Sequence, residues 1–235
     1  MIASTNKLAP PQPIRQQLKR GSVSLQLHDS LRERILDLDL EPGQALSRAE
    51  IAAEYRVSLT PVRDALIKLE EEGLIDTFPQ SKTEVSKIDI EHAQETHFLR
   101  LSLELEIVRR IAAKRDPALT ATARSILAQQ VVARDTGDLD AFARLDRSFH
   151  LALYEAVGME KLYGLIDARS GHIDRLRKLN LPDPGKIQSI LDCHTRILDA
   201  IEAGDTDAAC AALREHLSGT LAMANTIRDR NPQYF

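Results

Sequence analysis

With 235 residues, 43% of them hydrophobic and 28% charged, the chain has the makeup of a globular protein with room for one large core or two smaller ones. It lacks a run of about eighteen apolar residues to span a membrane, an apolar stretch before Arg20 to act as a secretory signal, and the cysteines for a disulfide framework (only Cys193 and Cys210), so a cytoplasmic protein is expected. The net charge of −4 rules out any nucleic-acid argument from bulk charge.

Residues 1–21 contain Lys7, Arg15, Lys19 and Arg20 but no acid, and three prolines at 10, 11 and 13. They read as a flexible basic tail. Residues 22–88 carry eight basic against thirteen acidic residues. Within them Leu27, Leu31, Ile35 and Leu38 repeat at helical spacing and predict a helix over about 24–38. Pro42-Gly43 ends that unit. Ser47, with Glu50 three residues on, is a capping-box start for a helix over 48–55. Arg56-Val57-Ser58 breaks it, and a third helix over about 60–72 follows, with Pro61 in its first turn and Gly73 closing it. Two β-prone runs, 74–78 and 83–86, flank a hairpin tip at 79–82.

After Asp89 the helical period runs almost to the end. Breaks near Asp116-Pro117, Thr136-Gly137, Gly158, Leu181–Gly185 and Ala203-Gly204 delimit six helices: 89–115, 118–135, 138–157, 159–179, 186–202 and 205–228. The expected fold is mainly α: an N-terminal winged helix-turn-helix (22–88) followed by an antiparallel all-helical bundle (89–235).

Two short helices joined by a tight turn and followed by a hairpin are the winged helix-turn-helix plan, whose second helix enters the major groove N-terminus first. Thr60 and Arg63 sit there; a hydroxyl can bond phosphate or base, and an Arg can bond guanine bidentately. Ser58 and Thr60 can also hold a phosphate at the helix start, and Arg48 can clamp the backbone from the preceding helix. On pattern alone, a helical hairpin with Arg63 on a solvated face competes equally. Residues 41–88 resemble the DNA-binding domain of the GntR family of bacterial repressors, through Pro42-Gly43, Leu46, Ile51-Ala52, Val57-Ser58, Thr60-Pro61-Val62-Arg63, Ala65-Leu66, Leu69 and Glu72-Gly73-Leu74. The resemblance implies double-stranded operator DNA as partner and a homodimer as the binding form. Two positions depart from it: Leu59 stands where the family usually has Arg, and Lys82 where the wing tip usually has Gly. Lys82 offers a charged contact to the minor groove or to phosphate.

In the second half, four polar residues sit on or beside apolar helical stripes. Asp146 and His150 flank Leu139, Phe142, Leu145, Phe149 and Leu153; His194 interrupts Ile187, Ile190, Ile197 and Ile201; His216 flanks Ala209, Leu213, Leu217 and Leu221. Each alone reads as a hydrogen-bonded core residue. One carboxylate and three imidazoles together suit a divalent transition metal. Residues 89–228 resemble the FCD domain, the helical effector domain of the FadR-like branch of the same family. The resemblance rests on Arg100–Glu104, Asp146–His150, Cys193–Ile197 with Ala200-Ile201 and Gly204-Asp205, and Arg214–Leu217. It implies that Asp146, His150, His194 and His216 bind zinc, nickel or manganese, and that Arg100 pairs with a small carboxylate effector. A ligand-responsive regulator, a repressor and not an enzyme, is the expected function. A metal-dependent enzyme using the same Asp/His set, and a metal-free sensor, are the alternatives.

Overall fold

The computed structural model describes residues 23–235; the basic tail at 1–21 lies outside them. Contact density divides the chain between Lys87 and Ile88 into two compact units.

The first unit contains α1 (Val23–Leu36), α2 (Arg48–Tyr55), α3 (Leu59–Glu71), β1 (Ile75–Thr77) and β2 (Thr83–Val85). The i, i+4 stripe of α1, Leu27, Leu31 and Ile35, packs against Val62, Ala65, Leu66 and Leu69 of α3. Helix α2 starts where its cap predicts: the Ser47 side chain accepts a hydrogen bond from the Glu50 amide. Arg56 closes α2 in the left-handed region at φ 55°. The three residues 56–58 then turn the chain into α3. Gly73, at φ 71°, takes the left-handed position that ends α3.

The hairpin strands are shorter than the β-prone runs. They pair antiparallel as Ile75 with Val85, Asp76 with Glu84 and Thr77 with Thr83. Ala45 bridges Glu84, adding a strand-like contact the sequence pattern did not show.

The second unit contains α4 (Ile90–Lys114), α5 (Ala121–Thr136), α6 (Leu139–Glu155), α7 (Glu160–Asp167), α8 (Gly171–Asn180), α9 (Lys186–Ala203), α10 (Thr206–Ser218) and α11 (Ala224–Arg230). Its main core joins residues such as Leu105, Ile111, Phe142, Phe149, Leu153, Leu198 and Leu213 from several helices. Two of the six expected helices are each split. The helix expected over 159–179 is α7 and α8, because the α4 residue Thr96 donates its hydroxyl to the Arg169 carbonyl and Ser170 donates its own to the Ile166 carbonyl. Both bonds draw on the backbone at the break. The helix expected over 205–228 stops at Ser218; Gly219 and Thr220, both weak helix formers, precede a 3₁₀ turn at Leu221–Met223 and then α11.

Helix α8 is central: every residue from Gly171 to Leu176 is buried. Its Ile173 and Leu176 join Ile88, Ala93 and Ile227 in a second small core, with Tyr234 and Phe235 packed on it. The Ile88 amide donates to the Tyr234 carbonyl at 2.8 Å, and the Asp89 amide to His172 Nδ1 at 2.9 Å. The residues that open the second unit are thus tied to α8 and to the chain's last turn.

Candidate DNA-recognition helix and metal centre

The buried side of α3 is Val62, Ala65, Leu66 and Leu69. That spacing turns Leu59, Thr60, Arg63, Asp64 and Ile67 outward, and all five are exposed. Ser58 precedes α3 as its N-cap, in an extended conformation and with no capping bond from its side chain. Arg48, at the first position of α2, is exposed too. Among the described residues Arg48, Ser58, Thr60 and Arg63 make no side-chain hydrogen bond or ion pair within the protein, so their donors are free for an external partner. Lys82 is different. Its ammonium pairs with Glu84 and sits 5.3 Å from the centre of the Phe78 ring.

That surface also carries Asp64, next to Arg63, but the acidic run of the helix lies further off. Glu70, Glu71 and Glu72 stand at the far end of α3, about 16 Å along the helix from Leu59. Glu72 is also neutralised. It accepts from His28 Nε2 at 2.7 Å and from Arg32 Nε at 2.9 Å. His28 bonds Asp29 through Nδ1 at 2.9 Å. With carboxylates on both ring nitrogens, led by Glu72, the imidazole is held above its ordinary pKa despite burial. Burial works against the Glu72 charge, but His28 and Arg32 outweigh it and hold the carboxyl below its usual range.

In the second unit the four residues singled out as ligands converge. Asp146 and His150 come from α6, His194 from α9 and His216 from α10. One ligand atom from each lies within 4.8 Å of all the others. His150 and His194 are fully buried. His194 also stacks flat on Phe149, centroids 3.7 Å apart.

The proton inventory of this cluster is short. Glu104 accepts from His150 Nδ1 at 2.7 Å, which puts a proton on Nδ1; in a neutral ring Nε2 is then a lone pair. Gln130 Oε1 lies 2.9 Å from His194 Nδ1, which does the same for His194. Both Nε2 atoms face His216 Nε2, at 3.0 and 3.2 Å. His216 can give one N–H to one of them. Asp146 Oδ1 is 3.5 Å from His194 Nε2 and is buried with no hydrogen-bond donor. Burial holds His194 down to about 3 and His216 well below its ordinary value, so neither supplies a further proton near neutrality. With the three imidazoles neutral, lone pairs outnumber protons at the centre, an imbalance that a divalent cation would resolve. Glu104 and Gln130 orient two of the imidazoles from behind, as groups backing metal ligands do.

Arg100 lies one helical turn before Glu104 on α4 and is 5% exposed. Its Nε donates to Glu104 Oε1 at 2.5 Å. Burial opposes both charges. The pair outweighs it: Glu104 sits at about 2, with His150 adding to the effect of Arg100, and Arg100 is raised. Arg100 also lines a small recess of about 10 Å³ with Arg147, Tyr163, Ile166, Asp167, Ser170, Asp174 and Arg177. Because Glu104 holds Nε, only the two terminal amino groups of Arg100 remain for a carboxylate.

Two known families account for most of the chain. Residues 23–85 match the family described as bacterial regulatory proteins, gntR family, and residues 95–219 match the FCD domain. An HTH-type transcriptional regulator in an unstable DNA locus of Streptomyces ambofaciens is 37% identical over 205 residues, covering 87% of this chain and 86% of that protein. The HTH-type transcriptional repressor RspR of Escherichia coli (strain K12) is 30% identical over 229 residues, covering 97% and 96%. The chain belongs to the GntR family of transcriptional regulators. The fold of this GntR regulator is also that of E. coli McbR/YncC, with a TM-score of 0.75 at 22% identity, over 88% of this chain and 99% of that one.

These relatives are regulators, not enzymes, and the winged helix-turn-helix with a helical second unit is their architecture. No helix among the described residues is long and apolar enough to cross a membrane. Sequence reasoning assigned no role to Glu104, Gln130, Arg147 or Arg177 in this GntR regulator. The first had a signal: Arg100 and Glu104 are an i, i+4 charge pair on an otherwise apolar face of α4. Arg147 follows Asp146 directly in the chain, whereas Gln130 and Arg177 had no signal, since α5 and α8 meet the site only through the fold.

Proposed function

We propose that this GntR regulator is a repressor whose helical unit binds a divalent transition metal through Asp146, His150, His194 and His216 and reads a small carboxylate effector beside it. The convergence of four ligand atoms, with Asp146 Oδ1 buried and lacking a donor, carries this reading. Zinc, nickel and manganese are the candidate ions. The bound ion would supply positive charge and open coordination positions for a carboxylate. Arg100 would hold the same carboxylate through its terminal amino groups, in a recess whose wall carries Arg147 and Arg177 together with Asp167 and Asp174. In the first unit, Thr60 and Arg63 would read base edges while Arg48, Ser58 and Lys82 hold phosphates. The active form is a homodimer on a near-palindromic operator in the cytoplasm, since two helix-turn-helix modules read two half-sites. The effector acts by favouring one arrangement of the protein over another.

The test is elemental analysis of protein purified without chelator, followed by calorimetric titration of chelator-treated protein with zinc, nickel and manganese. Stoichiometric metal lost in His194→Ala, with operator binding retained, is the expected result. If wild-type protein holds no metal and gains no thermal stability from any of the three, the metal-free sensor is the correct reading.

A further inference from the structure

Helix α3 exposes two large aliphatic side chains. Leu59, its first residue, keeps 59% of its surface in solvent, and Ile67, two turns later, keeps 42%. An isolated exposed leucine is ordinary on a protein surface. The position of Leu59 is not. It stands between the free hydroxyls of Ser58 and Thr60 and one turn before Arg63, all of them exposed. It is not part of the core of the first unit, whose nearest members on this helix, Val62 and Leu66, point the other way.

A helix-turn-helix brings the N-terminal residues of its second helix to the floor of the major groove. Leu59 can form no hydrogen bond there. The groove presents one apolar group, the C5-methyl of thymine, among donors and acceptors that an isobutyl group would desolvate without compensation. Packing on that methyl buries apolar surface from both partners. Packing on cytosine would strip water from its amino group and return nothing.

We infer that Leu59 is a specificity-determining residue that selects a thymine in each operator half-site by packing on its C5-methyl, beside the base pair that Arg63 reads. The inference rests on α3 being the recognition helix. Ile67 lies about 12 Å further along the helix axis, away from the end that meets base edges, and serves as an internal control.

The experiment starts from a library of random-sequence duplexes, from which the full-length protein selects its preferred sites. Each thymine of the enriched half-site is then replaced by deoxyuridine, which removes only the methyl group. At one position the replacement should weaken wild-type binding about fourfold, the worth of one buried methyl group. Leu59→Ala should bind the thymine and uracil duplexes equally, while Leu59→Met and Ile67→Ala keep the wild-type preference for thymine. If no replacement weakens wild-type binding, or if Leu59→Ala keeps the same methyl dependence, the assignment of Leu59 is wrong although α3 still reads the operator. If selection enriches no sequence, the recognition-helix reading fails first, and this inference with it.

Discussion

Glu104 is where the metal reading and the stability of the helical unit meet, so Glu104→Gln is the most informative single change. The side chain is 1% exposed and holds Arg100 through one oxygen and His150 through the other. Glutamine preserves its volume but has one acceptor. If that acceptor serves His150, the amide nitrogen faces the Arg100 donor, and a buried guanidinium loses its counter-charge. Removing one partner of a buried ion pair costs about 3–5 kcal/mol, which for a unit of this size lowers Tm by roughly 6–20 °C. The same change removes the negative charge that makes His150 a strong ligand, and loss of such a backing group weakens metal binding about 10- to 100-fold. Two measurements separate the effects: thermal unfolding of chelator-treated protein, and competition with a chromogenic chelator at a temperature where the variant is folded. Both should change. A folded Glu104→Gln protein with wild-type metal affinity would refute the claim that Glu104 orients His150 for a metal. An unchanged Tm without metal would refute the claim that Arg100 depends on it.

Gln130→Leu should lower metal affinity less than a ligand change does, because His194 keeps its place on Phe149 but loses the partner that fixes its tautomer; chelator competition reads this directly, and affinity equal to wild type would remove Gln130 from the site. The first unit should lose stability as pH rises above the ordinary histidine value of about 6.5, because His28 is held protonated by Glu72 and that contribution disappears once pH passes its raised pKa. At the acid end the lowered Glu72 contribution is present above its unfolded value of 4.5 and fades below it. Glu72→Gln should flatten both limbs in pH-dependent unfolding followed by amide exchange in α1 and α3, and an unaltered profile would show that the triad contributes nothing. Arg63→Ala should cost about 1–3 kcal/mol of operator affinity and relax selectivity at one base pair; unchanged selectivity in gel-shift titrations would take Arg63 out of base recognition. Deleting residues 1–21 should weaken binding to all DNA alike and reduce its salt dependence; a loss of sequence preference instead would mean that the tail reads a groove.

The sequence by itself determined what local rules can specify. Ser47, Pro61 and Gly73 mark helix ends through backbone chemistry that operates within a few residues, and they fall where α2 and α3 begin and end. The stripes of α1 and α3 name their own buried faces, because burial follows the helical period. The same logic marked Asp146, His150, His194 and His216 as polar groups on or beside core-facing stripes and made one shared centre plausible, which the family resemblance then implied. Tertiary structure decided the rest. One of the two bonds at the break between α7 and α8 comes from Thr96, a residue 73 positions away, capturing a backbone carbonyl, and no helical pattern within 159–179 carries that part of the information. Glu104 and Gln130 became partners of His150 and His194 across 46 and 64 residues of chain. The pairing of Glu104 with His150 and of Gln130 with His194, around His216, exists only once five helices, α4, α5, α6, α9 and α10, place those side chains within hydrogen-bonding distance, where exclusion of water makes every unpaired polar atom costly.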